Sequence, residues 1–102
     1  MPNFTDNVSF NYVAREWRCK WTDDDNKSSL SALQSLLESH LATLKSNGGK
    51  VQRVVCGGCK DFKIIISHSP EEFGKWSEGG HAPEAEVLEA MKAIPGVSNV
   101  ET

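Results

Sequence analysis

The chain has 102 residues, 38% hydrophobic and 25% charged, with a formal net charge of −3. That is the length of one domain with enough apolar material for a core, and it excludes a disordered chain. The acidic balance argues against generic nucleic-acid binding, and no apolar run approaches the roughly 18 residues of a membrane span. The opening M-P-N-F-T-D-N-V-S-F lacks the basic head and apolar stretch of a secretory signal. Three cysteines would leave one over from any disulfide framework, so a reducing, cytoplasmic setting is expected.

Residues 1–12 are polar and aperiodic and read as a flexible N-terminal arm, with residues 13–102 as a single α+β domain. Val13, Trp17, Cys19 and Trp21 share one parity; Ala14, Glu16, Arg18 and Lys20 share the other. Period two with one apolar side predicts a half-buried strand. Arg15 interrupts the apolar side near its start, where a strand emerges into water. The run Thr22 to Lys27, with Asp23, Asp24 and Asp25, suits a helix N-cap and its positive dipole end. Leu30, Leu33, Leu36, Leu37, Leu41 and Leu44 then form one stripe, which predicts a helix from about Lys27 to Lys45 that stops at Gly48 and Gly49.

K-V-Q-R-V-V-C reads as a second strand and C-K-D-F-K-I-I-I-S as a third. Gly57-Gly58 between them predicts a two-residue type I′ hairpin with positive φ at both glycines. Ser69-Pro70-Glu71-Glu72 combines a cap, an N1 proline and early acids, and predicts a short helical turn through Trp76. E-G-G-H breaks it, and Pro83 opens a second main helix with Val87, Leu88, Met91 and Ile94 as its stripe. Pro95-Gly96 ends that helix, and V-S-N-V-E-T reads as the opening of a fourth strand cut short by the end of the chain. The order β-α-β-β-α-β predicts a ferredoxin-like plait: a four-stranded antiparallel sheet with two helices on one face and the other face open.

Cys56 and Cys59 enclose only glycines. Three readings stand for them: soft metal ligands, which would need partners that no second C-x-x-C supplies; a redox pair; or a glycine turn flanked by small residues. Asp23, Asp24 and Asp25 lack the spacing of a calcium loop. His40 lies in the leucine stripe as a boundary residue. His68 and His81 flank the insert before the second main helix, and Trp76 with His81 are candidates to line a ligand pocket there. No nucleophile elbow, phosphate loop or paired-carboxylate signature is present, so no catalytic residue and no cofactor is assigned. Trp17 and Trp21 read as core rather than as a base-stacking platform. Arg15, Arg18, Lys20, Lys50, Arg53, Lys60 and Lys63 concentrate positive charge on the strands and hairpin. With Arg18, Lys20 and Lys63 out of phase with the apolar positions, the open face reads as a basic surface for an acidic partner.

Three segments carry a family resemblance: Lys20-Trp21 followed by Thr22 and the aspartates, the hairpin V-V-C-G-G-C-K-D-F-K-I, and P-G-V-S-N-V-E at residues 95–101. Together they resemble the guanine-nucleotide exchange domain of the translation elongation factor one B family, with Gly58 and Lys60 at matching hairpin positions. The resemblance implies a non-hydrolytic protein that binds a GTPase elongation factor and loosens its nucleotide and magnesium. It further implies partner contacts at Trp21, Asp23 and Lys60, which join Arg18, Lys20 and Lys63 of the basic face as the expected partner-binding residues. The family's lysine near the C-terminus has no counterpart in Val100-Glu101-Thr102, and F-G-K-W-S-E-G-G-H is additional. Two other functions fit the same residues: a small-ligand protein or enzyme of the dimeric α+β barrel kind, which would be a homodimer, and a metal or thiol-redox protein using the hairpin cysteines.

Overall fold

The structure is a computed structural model that describes residues 3–5, 8–9, 11–22, 27–46 and 48–102. Within the segment read as an arm, β1 (Asn3–Thr5) and β2 (Val8–Ser9) pair antiparallel. The rest of the chain runs β3 (Val13–Lys20), α1 (Ser28–Ser46), β4 (Lys50–Val55), β5 (Asp61–His68), α2 (Pro70–Glu78), α3 (Glu84–Ala93) and β6 (Ser98–Glu101). The expected α+β class holds. Four antiparallel strands lie in the order β4-β5-β3-β6, accompanied by three helices rather than two.

The added helix is α2, expected as one turn and found to span 9 residues. Its start explains the length. Ser69 Oγ accepts the Glu72 N–H at 3.3 Å, Pro70 needs no donor partner in the first turn, and Glu71 and Glu72 face the positive end of the helix dipole. The predicted aspartate cap of α1 at Asp23 to Asp25 lies outside the described residues.

Strand parity sets the core. Cys19 stands opposite Phe62 and Trp17 opposite Ile64, and Ile66 and His68 continue the same side of β5. The helices meet this face with Leu33, Leu37 and Leu44 of α1, Trp76 of α2, and Val87 and Met91 of α3, all buried. Each large apolar side chain removed from water contributes about 1.5–3 kcal/mol. Trp21, just past β3, is buried as well, as its parity predicts.

Two local expectations are corrected. Arg15 is only partly in water, its side chain 30% exposed. It shares the parity of Trp17 and Cys19, so it points under α3, where Glu84 takes it up. The hairpin is not a two-residue type I′ turn either. Neither Gly57 nor Gly58 adopts a left-handed φ; the left-handed residue is Lys60, at 62°. The Cys56 N–H donates to the Asp61 carbonyl at 3.0 Å, so residues 57–60 form a longer loop. A disulfide between Cys56 and Cys59 spans that loop, with Cα atoms 5.6 Å apart.

Candidate functional site

Two constellations sit at opposite ends of β5. The first is the corner where β3 runs out beside the β4–β5 loop. The Trp21 N–H donates to the Lys60 carbonyl at 2.9 Å. The Lys60 ammonium lies 5.0 Å from the centroid of the Trp21 ring, a cation–π arrangement, and donates to the Gly57 carbonyl at 2.7 Å. Lys20 donates to the Cys59 carbonyl at 3.0 Å and to Asp61 Oδ1 at 2.6 Å. That hydrogen bond and charge hold the Asp61 carboxyl below its usual range. Thr22 Oγ1 donates to the Gly96 carbonyl at 2.5 Å, which ties the start of the β6 segment to the same corner.

A shallow cleft of about 230 Å³ continues from this corner across the open sheet face, lined by Arg18, Lys20, Asp61, Lys63, Asn99 and Glu101 among others. Of the sequence-predicted partner-binding residues, Arg18, Lys20 and Lys63 therefore share one surface, and Trp21 and Lys60 meet at its edge. Asp23 lies outside the described residues. The electrostatics differ from expectation. Arg18 is bonded to Glu16 and Glu101, at 3.1 and 3.2 Å, and Lys20 to Asp61. Arg15 and Arg53 turn to the helix side, where Arg53 donates to Gln34 of α1 at 2.5 Å. The expected basic face is thus an interleaved one: Glu16 of β3 itself and Glu101 and Asp61 of the neighbouring strands offset Arg18 and Lys20, while Arg18 and Lys63 stand directly opposite each other.

The second constellation is an aromatic–histidine stack between β5, α2 and α3. Trp76 stacks on His68 with ring centroids 4.8 Å apart and meets His81 edge-on at 5.0 Å. Phe73 closes on all three rings. The predicted pocket residues Trp76 and His81 are therefore in contact. His81 owes its position to a left-handed φ of 58° after Gly80, and its N–H donates to the Trp76 carbonyl at 3.0 Å. Beside it, Glu84 accepts from Arg15 Nε at 2.5 Å and from the Trp17 indole at 2.7 Å. Burial pushes the Glu84 carboxyl up, but the Arg15 and Trp17 hydrogen bonds and the nearby charges outweigh it and hold it below the usual range.

Trp76 also borders a cleft of about 610 Å³, which Ser46, Gly48, Ser69, Glu71, Glu72 and Lys75 complete. His68, Arg15 and Glu84 were not among the predicted site residues. Parity was the available signal: His68 follows Phe62, Ile64 and Ile66 on the buried side. There it is 1% exposed, and neither ring nitrogen has a hydrogen-bond partner among the described residues.

Among the described residues no cluster of three or more His, Cys, Asp or Glu could hold a metal ion, and Cys56 and Cys59 are joined to each other. No described helix is long and apolar enough to cross a membrane. Comparison with protein families, characterised proteins and solved structures finds no match. The class in hand is therefore an α+β domain with an open antiparallel sheet and a bridged hairpin at one end.

Proposed function

We propose that this chain is a ferredoxin-like plait that binds a protein partner with the hairpin end of its sheet, in the way of an elongation-factor guanine-nucleotide exchange subunit. The strand order β4-β5-β3-β6 supports the plait, since each helical connection passes over one intervening strand. One observation carries the function. The three segments that resemble the exchange family lie far apart in the chain, and the bonds Trp21–Lys60, Lys20–Cys59 and Thr22–Gly96 bring them to a single corner. That corner offers the Lys60 ammonium on a fixed backbone, with Lys20 beside it balanced by Asp61, a means of disturbing the phosphate and magnesium contacts of a bound nucleotide.

The test is capture of a purified elongation-factor GTPase, followed by release of labelled GDP. Acceleration that falls on Lys60→Ala and Lys20→Ala is expected. Unchanged release at micromolar protein ends the exchange reading.

The cleft beside Trp76 favours a second reading, a small-ligand protein that pairs two open sheet faces as a dimeric α+β barrel. Sedimentation decides it: a monomer at all accessible concentrations removes it.

A further inference from the structure

We propose that Cys56 and Cys59 form a reversible dithiol–disulfide centre that exchanges electrons with an external thiol, Cys59 being the sulfur attacked and Cys56 the leaving group. This inference is independent of the partner-docking reading above.

The bridge contributes little to holding the chain together. It encloses only Gly57 and Gly58, while β4 and β5 are already paired from Lys50–Ser67 to Val55–Phe62. A crosslink across so short a loop removes little freedom from the unfolded chain. It is also open to attack. Cys59 is exposed and Cys56 half-buried, and a Cβ added at Gly57 or Gly58 would meet nothing within 4 Å. An incoming thiolate therefore approaches over bare backbone.

The surroundings of the two sulfurs differ, and the difference sets the direction. The Cys59 N–H donates to Cys56 Sγ at 3.1 Å, so negative charge arriving on Cys56 is met by a fixed donor. Cys59 Sγ has the Asp61 carboxylate 3.2 Å away, which opposes negative charge there. Lys60 fastens its ammonium group to the Gly57 carbonyl, adding a positive field that favours thiolates, while Lys20, on the Cys59 carbonyl, is balanced by Asp61.

The steps balance as follows. A thiolate RS⁻ attacks Cys59 Sγ; a new R–S–S–Cys59 bond forms, the Cys56–Cys59 bond breaks, and the electron pair goes to Cys56 as thiolate. A second RS⁻ attacks the R sulfur of the mixed disulfide, giving RSSR and a Cys59 thiolate, and both cysteines take up protons. The protein disulfide is reduced by two electrons and two thiols are oxidised to one disulfide. In reverse, the Cys56 thiolate resolves the mixed disulfide on Cys59.

Cys19 serves as an internal control. It is buried at 2% exposure, and burial together with Asp61 pushes its thiol up to about 11.

The experiment equilibrates the native, full chain in glutathione buffers of graded ratio, quenches with acid, alkylates, and counts modified cysteines by mass. The pair is expected to move between one free thiol and three as the ratio rises, and back as it falls. Brief exposure of the bridged chain to reduced glutathione, quenched in acid, should place the transient glutathione adduct on Cys59 in about tenfold excess over Cys56, since Cys59 is the more exposed and Cys56 the better leaving group. The same reduction by a protein dithiol, but not by glutathione, would restrict the donor to proteins and keep the centre. A bridge that resists both donors until the chain is denatured overturns the proposal, with no variant needed. Equal adduct on the two cysteines of the quenched chain overturns the assigned direction.

Discussion

Replacing Glu84 by Gln probes the contact that fastens α3 to the sheet. In the folded chain one carboxylate, 15% exposed, takes both the Arg15 guanidinium and the Trp17 indole N–H. Trp17 is fully buried, and among the described residues its indole donates to Glu84 alone. An amide keeps the size and one acceptor oxygen but loses the charge and the two-point grip. The half-buried guanidinium is then left without its counter-charge. An unsatisfied buried donor costs about 1–3 kcal/mol, and a broken buried pair about 3–5. Arg15 is 30% exposed, so water takes up part of that loss. The expected destabilisation is therefore about 2–4 kcal/mol.

In a chain of this length that lowers Tm by about 10–20 °C, read by thermal and urea unfolding at neutral pH. The pH dependence supplies an independent reading. The folded pKa of Glu84 is depressed, so the unfolded chain binds its proton first as pH falls. The stabilisation is complete above the ordinary carboxylate pKa of about 4.3 and is lost as pH drops through the folded value. The wild type should lose stability across that acidic window more steeply than Glu84→Gln. A loss below about 0.5 kcal/mol, with parallel acid profiles, would refute the assignment of Glu84 as the anchor of α3.

Three further outcomes are expected. Reducing the Cys56–Cys59 bridge should cost at most about 2 kcal/mol by loop-closure entropy and leave the far-ultraviolet circular dichroism unchanged. His68→Leu should raise stability by about 1–3 kcal/mol in urea unfolding, because it removes two buried ring nitrogens that have no partner. Destabilisation would mean that His68 holds something in its cage. Gly48→Ala should cost about 1–2 kcal/mol, since Gly48 has a φ of 82° and its new methyl would run into the Glu72 carboxylate near the start of α2. Gly57→Ala, with open space around it and no left-handed φ, should be nearly silent in the same assay.

The strands and main helices were legible because burial imposes a period. Trp17, Cys19, Phe62, Ile64 and Ile66 could lie on one face only, and the leucine stripe of α1 could turn only toward it. Arg15 obeyed the same parity, and reading it as solvent-facing set its charge above its position. A guanidinium on the buried side requires a carboxylate from the opposing layer, and Glu84 opens the helix that lies there. The hairpin misled for a different reason. Gly-Gly permits a tight turn without compelling one, and here the left-handed conformation falls on Lys60 instead. The charge balance of the open face was hidden as well, since alternation places Arg18 and Lys20 there but says nothing of Glu101 and Asp61 arriving from other strands. The meeting of His68, Trp76 and His81 depends on how α2 folds back on β5, which no local spacing records.

The segment K-V-Q-R-V-V lies at the outer margin of the sheet as β4, with one side of its backbone unpaired and Val54 and Val55 both exposed. Stripped of charge, such a hexapeptide is a template for fibril growth, since it is β-prone and free of proline. Lys50 and Arg53 act as its gatekeepers: any second molecule stacking in register would have to bury like charges against each other. Exchanging both for valine would give up the Arg53–Gln34 and Lys50–Tyr12 hydrogen bonds and leave this edge without charge, raising the chain's tendency to assemble at high concentration.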